Sequence, residues 1–173
     1  MKQLSFLAEA PSLKAIEWRP TRSAGTARLE NFMPLTGKAY AQARNFDFGP
    51  GDRANISCLS PWLRHRLVCE QEAVAATLTR RGLSSSDKFI QEVFWRAYFK
   101  GWLEQRPGVW SSYRRELQRS VDRLKADASL ENRYAEAIEA RTGIECFDTW
   151  ARELVANGYL HNHSRMWFAS IWI

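Results

Sequence analysis

Apolar residues recur at helical spacing through most of the chain and alternating strand patterns are nearly absent, so the sequence predicts an all-α, multi-helical fold. The clearest stripe is Phe89, Ile90, Val93, Phe94, Ala97, Tyr98 and Trp102. It predicts a helix over Lys88 to Leu103, with Asp87 at its positive end and Arg106-Pro107-Gly108 as its stop. Upstream, Leu29, Phe32, Met33, Leu35, Ala39, Tyr40 and Ala43 fall near the same spacing. Pro34 and Gly37 interrupt them, which predicts two short helices between Leu29 and Ala43. Ser60-Pro61 predicts a further start, the hydroxyl accepting an orphan backbone N–H, for a helix running to about Arg81 and ending at Gly82. Downstream helices are expected over Tyr113 to Lys125, over Leu130 to Arg141 behind a Ser129 cap, and over Thr149 to Ala156 behind an Asp148 cap. Asn157-Gly158 ends that last one, and a final helix runs from near His161 to Ile173.

Two stretches lack the pattern. Residues 1–28, with Pro11, Pro20 and Gly25, read as a poorly ordered lead-in or linker with one short helix at Leu13 to Trp18, ahead of a domain over residues 29–173. Asn45 to Arg53 reads as a loop, because Gly49-Pro50-Gly51 cannot sit inside a helix. The closing run Trp167 to Ile173 offers no Gly, Asn, Lys or Arg for its last carbonyls. That predicts either a covering protein surface or a cut through a larger domain.

Composition narrows the function. At 173 residues with 45% hydrophobic and 25% charged positions, the chain has the length of one domain and is neither disordered nor a disulfide scaffold. Twenty-five Lys and Arg against 19 Asp and Glu give a net charge of +6, which permits a nucleic-acid partner without requiring one. Eight tryptophans serve either a core of large rings or a surface for stacking or electron transfer. The scattered Cys58, Cys69 and Cys146 point to no disulfide framework and no zinc site. No apolar run approaches the ~20 residues of a membrane span, and acidic residues arrive too early for a secretory leader, so a cytoplasmic location is expected. Glycine-rich phosphate loops and His-Glu-x-x-His are absent, which disfavours standard kinase and hydrolase readings.

What remains is polar chemistry embedded in apolar helices. Tyr159 to Trp167 sets His161, Asn162, His163 and Arg165 within a turn or two of residues that favour burial. One reading is a helix start satisfied by its own side chains, with both histidines at the surface. A His-x-His metal pair has no neighbouring carboxylate or cysteine, and no metal site is predicted. On the earlier helix, Glu92 and Arg96 stand one turn apart with Trp95 beside them.

The run Thr142-Gly143 … Asp148 … Leu154 … Gly158-Tyr159-Leu160-His161-Asn162 … Arg165-Met166 resembles the FAD-binding-domain signature of the cryptochrome/photolyase family. Tyr40 to Asn45, Ser57 to Pro61 and Glu92 to Tyr98 agree with it in the same order. The resemblance implies the first half of such a domain, with FAD as cofactor and UV-damaged DNA as partner. By position, Tyr40, the loop Ile56, Ser57, Cys58, Leu59 and Ser60, and Asn162 and Arg165 would contact FAD. The helix start at Ser60-Pro61 would suit its diphosphate. Arg44, Arg96, Tyr98 and His163 would face DNA, while Glu92, Trp95 and Met166 would meet the flipped lesion. The implied chemistry is light-driven electron transfer from reduced FAD to a pyrimidine dimer. The alternatives are a cryptochrome-like light sensor and an inactive fragment, in which Arg165 lacks its acidic partner at a cost of ~3–5 kcal/mol.

Overall fold

A computed structural model describes residues 17–173, so the short helix expected at Leu13 to Trp18 lies outside the described residues except for Glu17 and Trp18, which are not helical. The described residues contain helices and no strand, as the apolar spacing predicts. They form α1 (Arg22–Phe32), a 3-10 turn (Met33–Leu35), α2 (Lys38–Ala43), α3 (Ser60–Arg64), α4 (Glu70–Arg81), α5 (Leu83–Glu104), α6 (Pro107–Ala126), α7 (Ala128–Ile138), α8 (Glu145–Asn157) and α9 (Asn162–Trp172).

Several boundaries differ from expectation, each for a local physical reason. The stretch read as a lead-in is helical from Arg22, because the Thr21 hydroxyl accepts the Ala24 N–H as an N-cap. Its buried face uses Gly25, whose hydrogen stands where a Cβ would come within 2.7 Å of the Trp62 ring. A glycine carries no apolar signal, which is why the periodicity begins only at Leu29.

The single helix expected over Pro61 to Arg81 is two. Arg66 takes a left-handed turn at φ 58, which carries Val68 into the core. The chain restarts at a capping box in which the Glu72 carboxylate accepts the Cys69 N–H at 2.8 Å. Ser60 does not cap α3; it is the helix's first residue. α5 begins at Leu83, across a kink at buried Ser86. Pro107 opens α6 as well as ending α5, the position where proline's missing donor costs nothing. Asp127, not Ser129, caps α7, accepting the N–H groups of Ser129 and Leu130 at 2.9 and 3.0 Å. Asp148 lies inside α8 and braces the preceding turn, accepting from Thr142 N, Thr142 Oγ1 and Gly143 N. Gly158 ends α8 at φ 62, as its sequence position suggests.

The main core joins α1 to α5 through Leu29, Phe32, Met33, Tyr40, Leu59, Trp62, Val68 and Phe89. Each such large side chain contributes about 1.5–3 kcal/mol of burial. A smaller cluster joins α8 to α9, with the Phe147 and Phe168 rings parallel at 4.7 Å. Trp18 ties the segment before α1 to the end of α8, its indole N–H donating to the Asn157 carbonyl at 2.7 Å. α6 and α7 bury none of their residues.

Candidate functional site

The loop between α2 and α3 is held by buried charge. Arg53, 6% exposed, pairs with Glu153 of α8, 4% exposed, and with Asp47 at 3.3 Å, while its guanidinium lies 5.3 Å from the Tyr159 ring centre. Asp47 also accepts from Gly49 N at 2.9 Å and from the Ser164 hydroxyl of α9. The His161 ring bonds the Arg44 carbonyl through Nε2 at 3.0 Å and accepts the His163 N–H through Nδ1 as the cap of α9. His161 is therefore buried, not a surface residue, and its ring locks the loop to α9.

Burial sets the titration of these groups. It lifts the Glu153 carboxyl above its ordinary range by more than the attraction of Arg53 lowers it. It lowers His161, against the opposing charge of Asp47. For Asp47 burial alone would raise the pKa, but the hydrogen bonds from Ser164 and Gly49 and the charge of Arg53 together hold it below the usual carboxylate range.

Two of the clefts beside this scaffold share Ser60 and Tyr159 as walls. The smaller, about 120 Å³, brings together Tyr40, Arg44, Ile56, Ser57, Cys58, Leu59, Ser60, Glu92, Asn162 and His163. Those are ten of the expected site residues, drawn from segments more than a hundred positions apart. Within it Arg44 forms an ion pair with Glu92, so the residues assigned to DNA and to the lesion meet each other. Burial pushes the Tyr40 hydroxyl up to about 12, and its ring packs edge-on against Phe32 and Phe89 in the core. His163 Nδ1 is buried without a hydrogen-bond partner.

The larger cleft, about 590 Å³, is bounded by Ser60, Arg64, His65, Arg96, Tyr159 and Arg165, and no carboxylate lines it. Three guanidinium groups, of which Arg96 also pairs with Glu70 at 3.4 Å, and the Ser60 and Tyr159 hydroxyls around a space within the ~300–1,000 Å³ range of ligand pockets favour a ligand that is both anionic and large. α3 spans five residues, so the anion attraction comes from these side chains and not from a helix terminus. Arg165 is exposed and donates to Asn162 Oδ1 at 2.6 Å; the desolvation cost expected for it does not arise.

Three expected residues lie outside both clefts. Trp95 and Tyr98 sit on the open face of α5, their rings 5.5 Å apart and edge-on, and Met166 is exposed on α9 with its sulfur 3.9 Å from Asn162 Nδ2. Sequence reasoning also missed Arg53, Asp47, Glu153, Ser164, Arg64 and Tyr159. The one available signal was Asp47 alternating with Phe46 and Phe48, which turns a carboxylate inward where its neighbours turn out.

The family described as the FAD binding domain of DNA photolyase matches residues 89–173. Curated relatives carry the name deoxyribodipyrimidine photo-lyase. That of Streptomyces griseus is 31% identical over 73% of this chain and 27% of its own length, and that of Thermus thermophilus 30% over 91% and 35%. That of Vibrio cholerae is 24% identical over 92% of this chain and 34% of its own length. The chain thus spans about a third of the length of the curated relatives it matches. No solved structure matches it significantly.

Proposed function

We propose that this chain belongs to the cryptochrome/photolyase family with FAD as its cofactor, and that its two neighbouring clefts hold that cofactor for light-driven reversal of pyrimidine dimers in DNA. The observation that carries this reading is the larger cleft. Arg64, Arg96 and Arg165 stand around Ser60 with no carboxylate on its wall, a donor set suited to a diphosphate. Ser57, Ser60 and the backbone from Ile56 to Leu59 would add neutral donors, and Asn162 with unpartnered His163 Nδ1 would meet the polar edge of a flavin ring.

FAD supplies the light-excited electron in this chemistry; the chain's residues bind, orient and exclude water. Glu92 would turn from Arg44 to accept a hydrogen bond from an extruded base, and Arg44, released from that pair, would take a DNA phosphate. Tyr40 keeps its hydroxyl proton at neutral pH, so it can donate that proton while its oxygen accepts from Arg44. Trp95, Tyr98 and Met166 extend this surface outside the clefts, where a duplex carrying the flipped base would lie, with Arg96 at the boundary.

The test has two stages. Flavin fluorescence should report FAD binding that weakens on the order of 10- to 100-fold in Arg165→Ala or Arg64→Ala, the loss of one charge-assisted hydrogen bond. The flavin-loaded, reduced protein under blue light should then restore thymine absorbance in an oligonucleotide carrying a cyclobutane dimer. A chain that retains no flavin overturns the cofactor site. Flavin binding without dimer reversal overturns the repair reading and favours the light sensor.

A further inference from the structure

The aromatic side chains outside the clefts include a pair that neither the sequence signature nor the proposed chemistry uses. Phe46 and Phe48 are 59% and 56% exposed, and their rings are stacked at 6.2 Å with planes 16° apart. They are not the tip of a loose loop. Asp47, between them, is turned inward to Arg53, Gly49 N and Ser164. Asn55 Nδ2 donates at 2.8 Å to the carbonyls of Phe46 and Ala43, and the Arg44 carbonyl bonds His161. A buried ion network thus presents two large apolar rings to solvent, at a continuing cost in hydrated apolar area that folding does not recover.

We propose that Phe46 and Phe48 form a stacking platform for unstacked DNA bases next to the clefts. This rests on the DNA reading given above and deepens it. The platform begins two residues after Arg44, a wall of the smaller cleft, on a chain of net charge +6. Phosphates drawn by that charge would bring bases over the rings. A nucleobase offers a flat π-face that stacks on phenylalanine whatever its identity, so such a platform holds a distorted strand without reading its sequence. A base drawn into the cleft leaves its neighbours without a stacking partner, and the ring pair supplies one at the cleft's edge.

The experiment is fluorescence titration of the chain with two DNAs, a single strand and an abasic-site duplex, each carrying 2-aminopurine, whose emission falls when it stacks. The wild type should bind both with quenching. Phe46→Ala/Phe48→Ala should weaken binding by about 5- to 150-fold for each base lost from the stack and abolish the quenching. Phe46→Trp/Phe48→Trp should retain both. Because the rings are exposed, the far-ultraviolet circular dichroism of the alanine variant should match the wild type. Binding and quenching that survive in the alanine variant overturn the platform and leave the DNA reading standing. Failure of the wild type to bind either DNA overturns both. Concentration-dependent self-association that the alanine variant abolishes, with DNA affinity intact, assigns the rings to a protein contact and overturns the platform.

Discussion

Replacing Glu153 with alanine isolates the consequence of burying charge in this fold. The substitution leaves the Arg53 guanidinium, 6% exposed, with Asp47 at 3.3 Å as its remaining carboxylate. At an effective dielectric of about 20, a pair at that separation attracts by about 5 kcal/mol before desolvation, and desolvation costs several kcal/mol per ion. Half of that compensation is lost with Glu153, so the expected cost is about 3–5 kcal/mol. That is a large share of the ~5–15 kcal/mol by which a domain of this kind is stable. With a urea m-value of about 2 kcal/mol/M, the unfolding midpoint followed by circular dichroism should fall by about 1.5–2.5 M.

The double variant Arg53→Met/Glu153→Leu should behave differently. Burial first, with the repulsion of Asp47, raises the Glu153 pKa against the attraction of Arg53, and taking two ions out of water can cost more than their attraction returns. Apolar residues of similar volume should therefore be neutral or stabilising by up to ~4 kcal/mol, while Asp47 keeps Ser164 and Gly49 as donors. A Glu153→Ala cost below about 1 kcal/mol would show that water reaches the guanidinium in solution and would refute the reasoning. So would a double variant as damaged as the single one.

His161 gives a pH test: its folded pKa lies below the unfolded value of about 6.5, so the unfolded chain binds the proton more readily, and stability should fall as pH drops through 6.5 toward the folded pKa. His161→Asn should remove that slope in thermal unfolding measured between about pH 7 and pH 5, and a slope unchanged by the substitution would contradict it. Gly25→Ala places a methyl 2.7 Å from the Trp62 ring and 2.8 Å from Val68, and should cost about 1–3 kcal/mol, read as a lower melting temperature.

How much of this was legible beforehand can be argued from single residues. The apolar stripe from Phe89 to Trp102 marks α5 by its helical spacing, although only Phe89, Ile90 and Val93 are buried and Phe94 and Tyr98 stay exposed. Gly158 ends α8 for an equally local reason, the freedom to turn left-handed. The ten expected residues among the twelve around the smaller cleft could be singled out only through resemblance to a family signature; their periodicity does not distinguish Glu92 from any other flank residue. The break at Arg66 was hidden because it depends on Val68 finding the core, a contact made with residues more than thirty positions away.

The sequence alone thus determined an all-helical chain, the course of its longest amphipathic helix and a family signature near its carboxyl end. The tertiary structure decided which charges are buried. Arg53 and Glu153 are a hundred residues apart, and no local pattern records that one will neutralise the other. Hydrophobic spacing and capping act within a few turns and can be read along the chain. The value of a charge depends on the dielectric around it and on its counter-ion, and both exist only once distant segments have packed.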